Sequence, residues 1–341
     1  GARAEAFLKC SMQWLEPLSS LDQRHASADD KKNAAEYVDF GTIGSSIAGL
    51  AGLGAGATFQ CDFINGKFCF KIAASLCFGL GAKGAFICEV GYEHFKNFAS
   101  WLIYQLFSLD YHYLEIIAED AFDTFTKLCV LQMADLKKNI YQTISNASDQ
   151  VIKVQNKFNE YIFELSEEVG DAISASKVRN ELARNINYKS TLLLDFTPEA
   201  KGVLLFLLSR HGIADHIDPG SYGAWFELYK ERKEASINVL KSIQTRNEWW
   251  QVMQHRTGDG TTIKTLSVPE VELEIKKFLD ESWNRSDEFD KIYSRLKLKV
   301  SWGYALVMND TQEYLLNSDV NPYYPNGGMF DLIESKQTAV V

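Results

Sequence analysis

Two hydrophobic periods divide this chain. Ala4, Ala6, Leu8, Cys10, Met12 and Trp14 occupy alternate positions, which places them on one face of a predicted strand. Residues 19–39 are polar and charged and read as a connection. Alternation returns within residues 41–91, behind a Gly/Ala-rich entry. There Asn65-Gly66 separates two aromatic and apolar runs, and this dipeptide supplies the two positive-φ positions of a type I′ hairpin turn. A two-residue turn pairs Ile64 with Lys67, Phe63 with Phe68, Asp62 with Cys69 and Cys61 with Phe70. Cys61, Phe63, Phe68, Phe70 and Ile72 then share one face, and Asp62, Cys69 and Lys71 the other. A second reversal across residues 79–84 leads into Ala85-Phe86-Ile87-Cys88-Glu89-Val90, a third antiparallel strand, so the expectation is at least a meander with one apolar face to be covered.

The period changes at Tyr92. Phe95, Phe98, Ala99, Leu102, Ile103, Leu106 and Phe107 recur three and four residues apart, the spacing of a one-sided helix that can cover the sheet. Helix is predicted to continue across residues 108–136, with Phe122, Phe125, Cys129 and Met133 on one side. From Ile140 the apolar positions Ile144, Ala147, Val151, Val154, Phe158, Tyr161 and Leu165 predict a long helix with a coiled-coil-like seam, Ser145-Asn146 being the place for a break. Thr197-Pro198-Glu199 is a helix start: a hydroxyl to cap, a proline where the missing N–H costs nothing, and an acid favoured by the dipole. The helix it opens, through Val203, Leu204, Leu205, Phe206, Leu207 and Leu208, is apolar nearly all round and so belongs at the centre. Residues 222–255 read as one long helix with Ile237, Leu240, Ile243, Trp250 and Met253 inward. Pro269-Glu270 begins another, buried through Val271, Ile275, Phe278 and Leu279, and a last one starts near Asp287. The fold class expected is α+β: an N-terminal antiparallel β-meander (1–91) packed against a larger, mostly α-helical domain (92–320), with 321–341 a loop and tail. The strand at the very start looks cut into, and the chain reads as a fragment continuing from an upstream part.

Charge narrows the function. A net charge of -10 with no basic patch argues against nucleic acid. Residues 41–61 carry no charge over 21 residues, about the length that spans a bilayer. Their apolar content is mostly glycine and alanine, which favours a soluble strand or loop over a span. The six cysteines form no CxxC pair and no Cys/His cluster, so they read as free buried thiols.

Catalytic chemistry is hard to find. His211, Asp215 and His216 are the densest group of ligand-type side chains, but their spacing is not that of a metal site. They remain weak catalytic candidates, with loop solvation and capping the plainer reading. Glu115, Glu119, Asp120 and Asp123 suit an exposed acidic helix face. No GxSxG, HExxH or P-loop occurs, Gly258-Asp259-Gly260 reads as a turn, and Asp310 as part of a cap. No metal and no cofactor is expected, and an enzyme is the less favoured reading.

The Gly/Ala-rich entry and hairpin (residues 49–86), the opening residues 1–17, the helical run 92–125, Thr197-Pro198-Glu199 with its apolar helix, and Gly303-Tyr304-Ala305-Leu306 with the run after it resemble the C-terminal region of VasX-like type VI secretion effectors. The resemblance implies an antibacterial toxin of bacterial competition, made in the bacterial cytoplasm, injected into the periplasm or membrane of a target cell, and acting by membrane permeabilisation. It further implies a cognate immunity protein, contact with a secretion spike or an adaptor or chaperone, and access to the target inner membrane. The expected role of this soluble part is binding or regulation: holding membrane-active segments soluble, or meeting a partner. Ile43, Ile47, Leu50 and Leu53, with Phe95, Phe98, Leu102 and Leu106, are then the positions at which apolar surface is handed to a membrane or partner; the plain alternative is that they are core. An enzymatic toxin domain with an unrecognised site, and a non-toxic structural module, are the competing readings.

Overall fold

A computed structural model of the chain describes residues 11–15, 37–43, 59–73, 85–108, 117–145, 151–164, 172–210, 222–281 and 285–296. Five strands among them, β1 (Ser11–Leu15), β2 (Tyr37–Ile43), β3 (Phe59–Ile64), β4 (Lys67–Ala73) and β5 (Ala85–Glu89), form one antiparallel sheet in the order β1-β2-β5-β4-β3. The hairpin is as the dipeptide dictates. Asn65 and Gly66 take φ values of 50° and 75°, and the pairs run from Ile64 with Lys67 to Cys61 with Phe70 and on to Phe59 with Ile72. Strand β5 completes the meander, setting Phe70 opposite Cys88.

Beyond the meander the sheet takes a Greek-key step, because β2 lies against β5 and not against β3. The strand begins at Tyr37, so the last three residues of the stretch expected as a polar connection belong to it. Its approach to β5 depends on Gly41, where a Cβ would stand 2.6 Å from Cys88 Sγ and 3.3 Å from the Glu89 carbonyl. Next to it the β1–β2 register slips by one residue, from Met12 opposite Gly41 to Gln13 opposite Asp39. The extra residue is Phe40, and the local bend of such a bulge goes with a ring that is 1% exposed and stacked on Trp101 at 5.1 Å.

Helix α1 (Phe95–Ser108) covers the aromatic face. Phe98 meets Phe68 at 4.9 Å and Phe70 at 5.8 Å, and Phe95 stacks on Tyr141 at 4.3 Å. Every residue from Phe98 to Leu106 is buried, so α1 is enclosed on all sides and not only on the sheet. Asn97 Nδ2 donates to the Asp39 carbonyl of β2 at 2.9 Å, and Ser100 donates to Asp195 on the far side. Tyr141 closes the layer. Its hydroxyl donates to Val90 O at 2.6 Å and accepts from Phe68 N at 3.3 Å, and burial pushes its ionisation well above the ordinary range.

The helical body departs from the periodicity in two places. Residues 108–136 are not one helix: Ile117 forms a parallel bridge to Cys61, Ala118 N donates to Cys61 O at 2.9 Å, and α2 (Glu119–Ala134) starts only after that, residues 109–116 lying outside the described residues. Edge strand β3 needs backbone partners on its open side, and this short extended piece supplies them. Helices α3 (Ile140–Ser145) and α4 (Val151–Glu164) flank the place of the expected break, and residues 146–150 lie outside the described residues. Then follow α5 (Ala172–Tyr188), a 3₁₀ turn (Ser190–Asp195) and α6 (Pro198–Ser209). Helix α6 packs among α2, α5 and two later helices, α7 (Tyr222–Lys241) and α8 (Arg246–Gln254). Ala200, Val203, Leu204, Leu205, Leu207 and Leu208 are all buried, as its all-round apolar pattern requires.

The second departure is the helix expected over residues 222–255, which is two helices. Thr245 caps a new start, its Oγ1 accepting from Glu248 N at 3.0 Å, and the interruption resets the helical phase. Trp249, not Trp250, is therefore inward: they are 1% and 45% exposed. Helices α9 (Val268–Asp280) and α10 (Ser286–Arg295) finish the described chain. Val271, Ile275, Phe278 and Leu279 are buried as predicted, and one continuous core runs from Phe40 in the sheet to Leu296.

Candidate functional site

Buried polar chemistry concentrates where the first turn of α6 meets both ends of α8. Thr197 caps α6 by accepting from Ala200 N at 3.1 Å, and its hydroxyl lies 2.9 Å from that of Thr126 on α2. One turn on, Lys201 Nζ stands 2.5 Å from Glu248 Oε1 and 3.2 Å from Ser242 O. Both side chains are closed to solvent, 1% and 0% exposed. The second oxygen, Glu248 Oε2, accepts from Gln244 N at 2.7 Å. A buried ammonium and carboxylate are tolerable only when paired and further hydrogen-bonded, and the α7–α8 connection supplies those extra groups. Arg256 adds a second tie, donating to Ser209 Oγ at 2.9 Å and Glu274 Oε2 at 2.7 Å.

Beside this pair Glu199, Lys201's neighbour in the first turn, meets the C-terminal end of α8. Close approach is set by Gly202, where any Cβ would run into the His255 carbonyl. His255 Nδ1 lies 2.8 Å from Gln251 O. A carbonyl can only accept, so Nδ1 carries the proton and Nε2, 3.3 Å from Thr262 Oγ1, is left to accept from that hydroxyl in the neutral ring.

The chain then loops back over α6. Asp259 Oδ1 accepts from Thr257 Oγ1 at 3.0 Å, Thr261 Oγ1 at 2.8 Å and Thr261 N at 3.1 Å. Burial acts to raise its pKa, but these donors outweigh it and the carboxyl sits below its ordinary value. Gly260, at φ 77°, turns the loop onto Val203 and Glu199, where a Cβ would come within 3.3 Å of Val203 Cγ2 and 3.8 Å of Glu199 Cβ. Ile263 N donates to Gln254 O at 2.7 Å and anchors the return. Under this loop Glu199 Oε2 is sealed from solvent with no hydrogen-bond partner among the described residues. Burial pushes its pKa up, and the charge of His255, its own backbone N–H and the Thr197 hydroxyl offset only part of that. The arrangement can hold a proton on a buried carboxyl next to an imidazole.

Of the residues singled out from sequence, Phe98, Leu102 and Leu106 are core, at 0%, 0% and 4% exposure, and Phe95 packs half-buried against them. Handing this surface to a membrane or partner therefore requires α1 to leave the sheet. Ile43 ends β2, its backbone paired with Cys88. Ile47, Leu50 and Leu53, and the weak catalytic candidates His211, Asp215 and His216, lie outside the described residues, as do Glu115 and Asp310. Glu119, Asp120 and Asp123 are exposed on α2. Among the described residues no group of three or more His, Cys, Asp or Glu side chains is placed to hold a metal ion. Cys61, Cys69, Cys88 and Cys129 are free and buried, and burial pushes the Cys69 thiol up to about 12.

Sequence reasoning passed over Lys201, Glu248 and His255. The one local sign was Thr245-x-x-Glu248, a helix-start pattern. Compared with known protein families, curated proteins and solved structures, the chain matches none.

Proposed function

We propose that this chain is the C-terminal part of a type VI secreted antibacterial effector of the membrane-disrupting, VasX-like kind, and that it acts by binding or regulation. In this reading it keeps membrane-active segments soluble before delivery and offers a surface to an immunity protein or a secretion adaptor. The observation that supports it is the enclosure of α1 and α6. Helix α6 is apolar nearly all round, a composition that belongs either inside a protein or inside a membrane, and α1 is buried throughout Phe98 to Leu106; both are held within the fold. Among the described residues no helix is long and apolar enough to cross a membrane; in this reading the disrupting step belongs to other segments of the effector, and this body shelters them.

The test is to produce this chain alone in the bacterial cytoplasm and then, with an export signal, in the periplasm, alongside the same chain carrying its upstream sequence. Membrane potential is followed with a voltage-sensitive dye. The expected result is depolarisation only when upstream sequence is present. Depolarisation by the chain alone would make it the membrane-active part itself. Killing without depolarisation, abolished by alanine at His211, Asp215 or His216, would replace the proposal with an enzymatic toxin.

A further inference from the structure

We propose that Glu199 is a proton-operated latch on the 257–262 loop, closed while Glu199 carries its proton and loosened as Glu199 ionises. This inference is independent of the effector reading. It starts from a carboxylate oxygen, Glu199 Oε2, that is sealed and without a donor among the described residues. An ionised carboxylate so placed must recover water or a donor, whereas the neutral acid can stay. The loop packs on the same residue, Gly260 lying against the Glu199 Cβ and backbone carbonyl.

The neighbouring charged groups are already committed. Lys201 is taken by Glu248, Arg256 by Glu274, Lys127 by Asp123 and Gln155, and Asp259 by the Thr257 and Thr261 hydroxyls. His255 is the titratable group whose charge reaches Glu199. With its Nδ1 on Gln251 O, His255 places Nε2 against Thr262, which lies at the end of the same loop.

The sign follows from burial. A carboxyl whose folded pKa lies above its ordinary value of 4.5 stabilises the closed form fully below that value, and loses the contribution as pH rises through the folded pKa.

Hydrogen exchange of the full chain tests this between pH 5 and 8, corrected for intrinsic amide rates and read on peptides covering residues 256–266. Protection of the loop should fall with rising pH, at a slope approaching about tenfold per pH unit for one proton released, while peptides from α6 beyond its first turn hold constant. Glu199→Gln should remove the slope and keep the loop protected at all pH values. Loop protection that is flat with pH in the native chain overturns the latch whatever the variants do. An unchanged slope in Glu199→Gln assigns the proton elsewhere and overturns it too. Should Glu199→Gln fold poorly, Glu199→Met supplies the same uncharged comparison.

Discussion

Lys201 and Glu248 are each closed to water, and each is acceptable only because of the other. Removing one partner leaves a buried charge with hydrogen-bond groups built for its complement, which costs far more than the pair contributes relative to an apolar substitute. Lys201→Met is expected to destabilise the protein by about 3–5 kcal/mol. The double change Lys201→Met with Glu248→Gln should recover part of that loss, although Gln244 N still requires an acceptor at position 248. Urea unfolding of the four proteins of this cycle measures the coupling; a double variant as unstable as the sum of the single ones would mean that the pair is not coupled. None of this pairing is visible along the chain. The two residues stand 47 positions apart, and a lysine within an apolar helix looks like a solvated break in the pattern until the connection from α7 to α8 is seen folded over it.

At the level of elements, legibility followed locality. Asn65-Gly66 specifies a turn by backbone chirality alone, and the register of β3 on β4 follows from it without tertiary help. Thr197-Pro198 fixes the start of α6 in the same local way. The place of β2 beside β5 depends instead on a long-range fit, the room that Gly41 leaves for Cys88, and apolar alternation carries no sign of it. The helix over residues 222–255 went wrong for a third reason: apolar spacing ran on through a cap. Because Thr245 restarts the helix, the buried indole is Trp249, which donates to Glu272 Oε1 at 2.8 Å and packs against Phe289 at 4.9 Å. Trp249→Ala should therefore cost about 3–5 kcal/mol, and Trp250→Ala well under about 1 kcal/mol, within the range of surface changes. Chemical denaturation of the two variants decides it, and equal losses would restore the single-helix phase.

For the molecule as a whole, sheet and helices share one core. Phe98 of α1 touches Phe68 and Phe70 of the sheet and Phe125 of α2, while α2 in turn reaches α6 through Thr126 and Thr197. Among the described residues one hydrophobic cluster spans both parts, so stability lost at Phe98 should be felt at a distance. Phe98→Ala leaves a large cavity and is expected to cost about 3–5 kcal/mol. Native-state hydrogen exchange then distinguishes two architectures. With one cooperative core, the most protected amides of α6 and α9 lose about as much protection as those of β4, although neither helix touches the altered side chain through its own rings. With a sheet unit that opens by itself, loss stops at β4, β5 and α1, and α9 keeps its native exchange. The second outcome would also reveal α1 as separable from the helical body, which is the motion needed before Phe95, Phe98, Leu102 and Leu106 can meet a membrane or a partner. The continuity of the aromatic packing from Phe40 through Phe125 favours the first, in which α1 stays enclosed until the whole core opens.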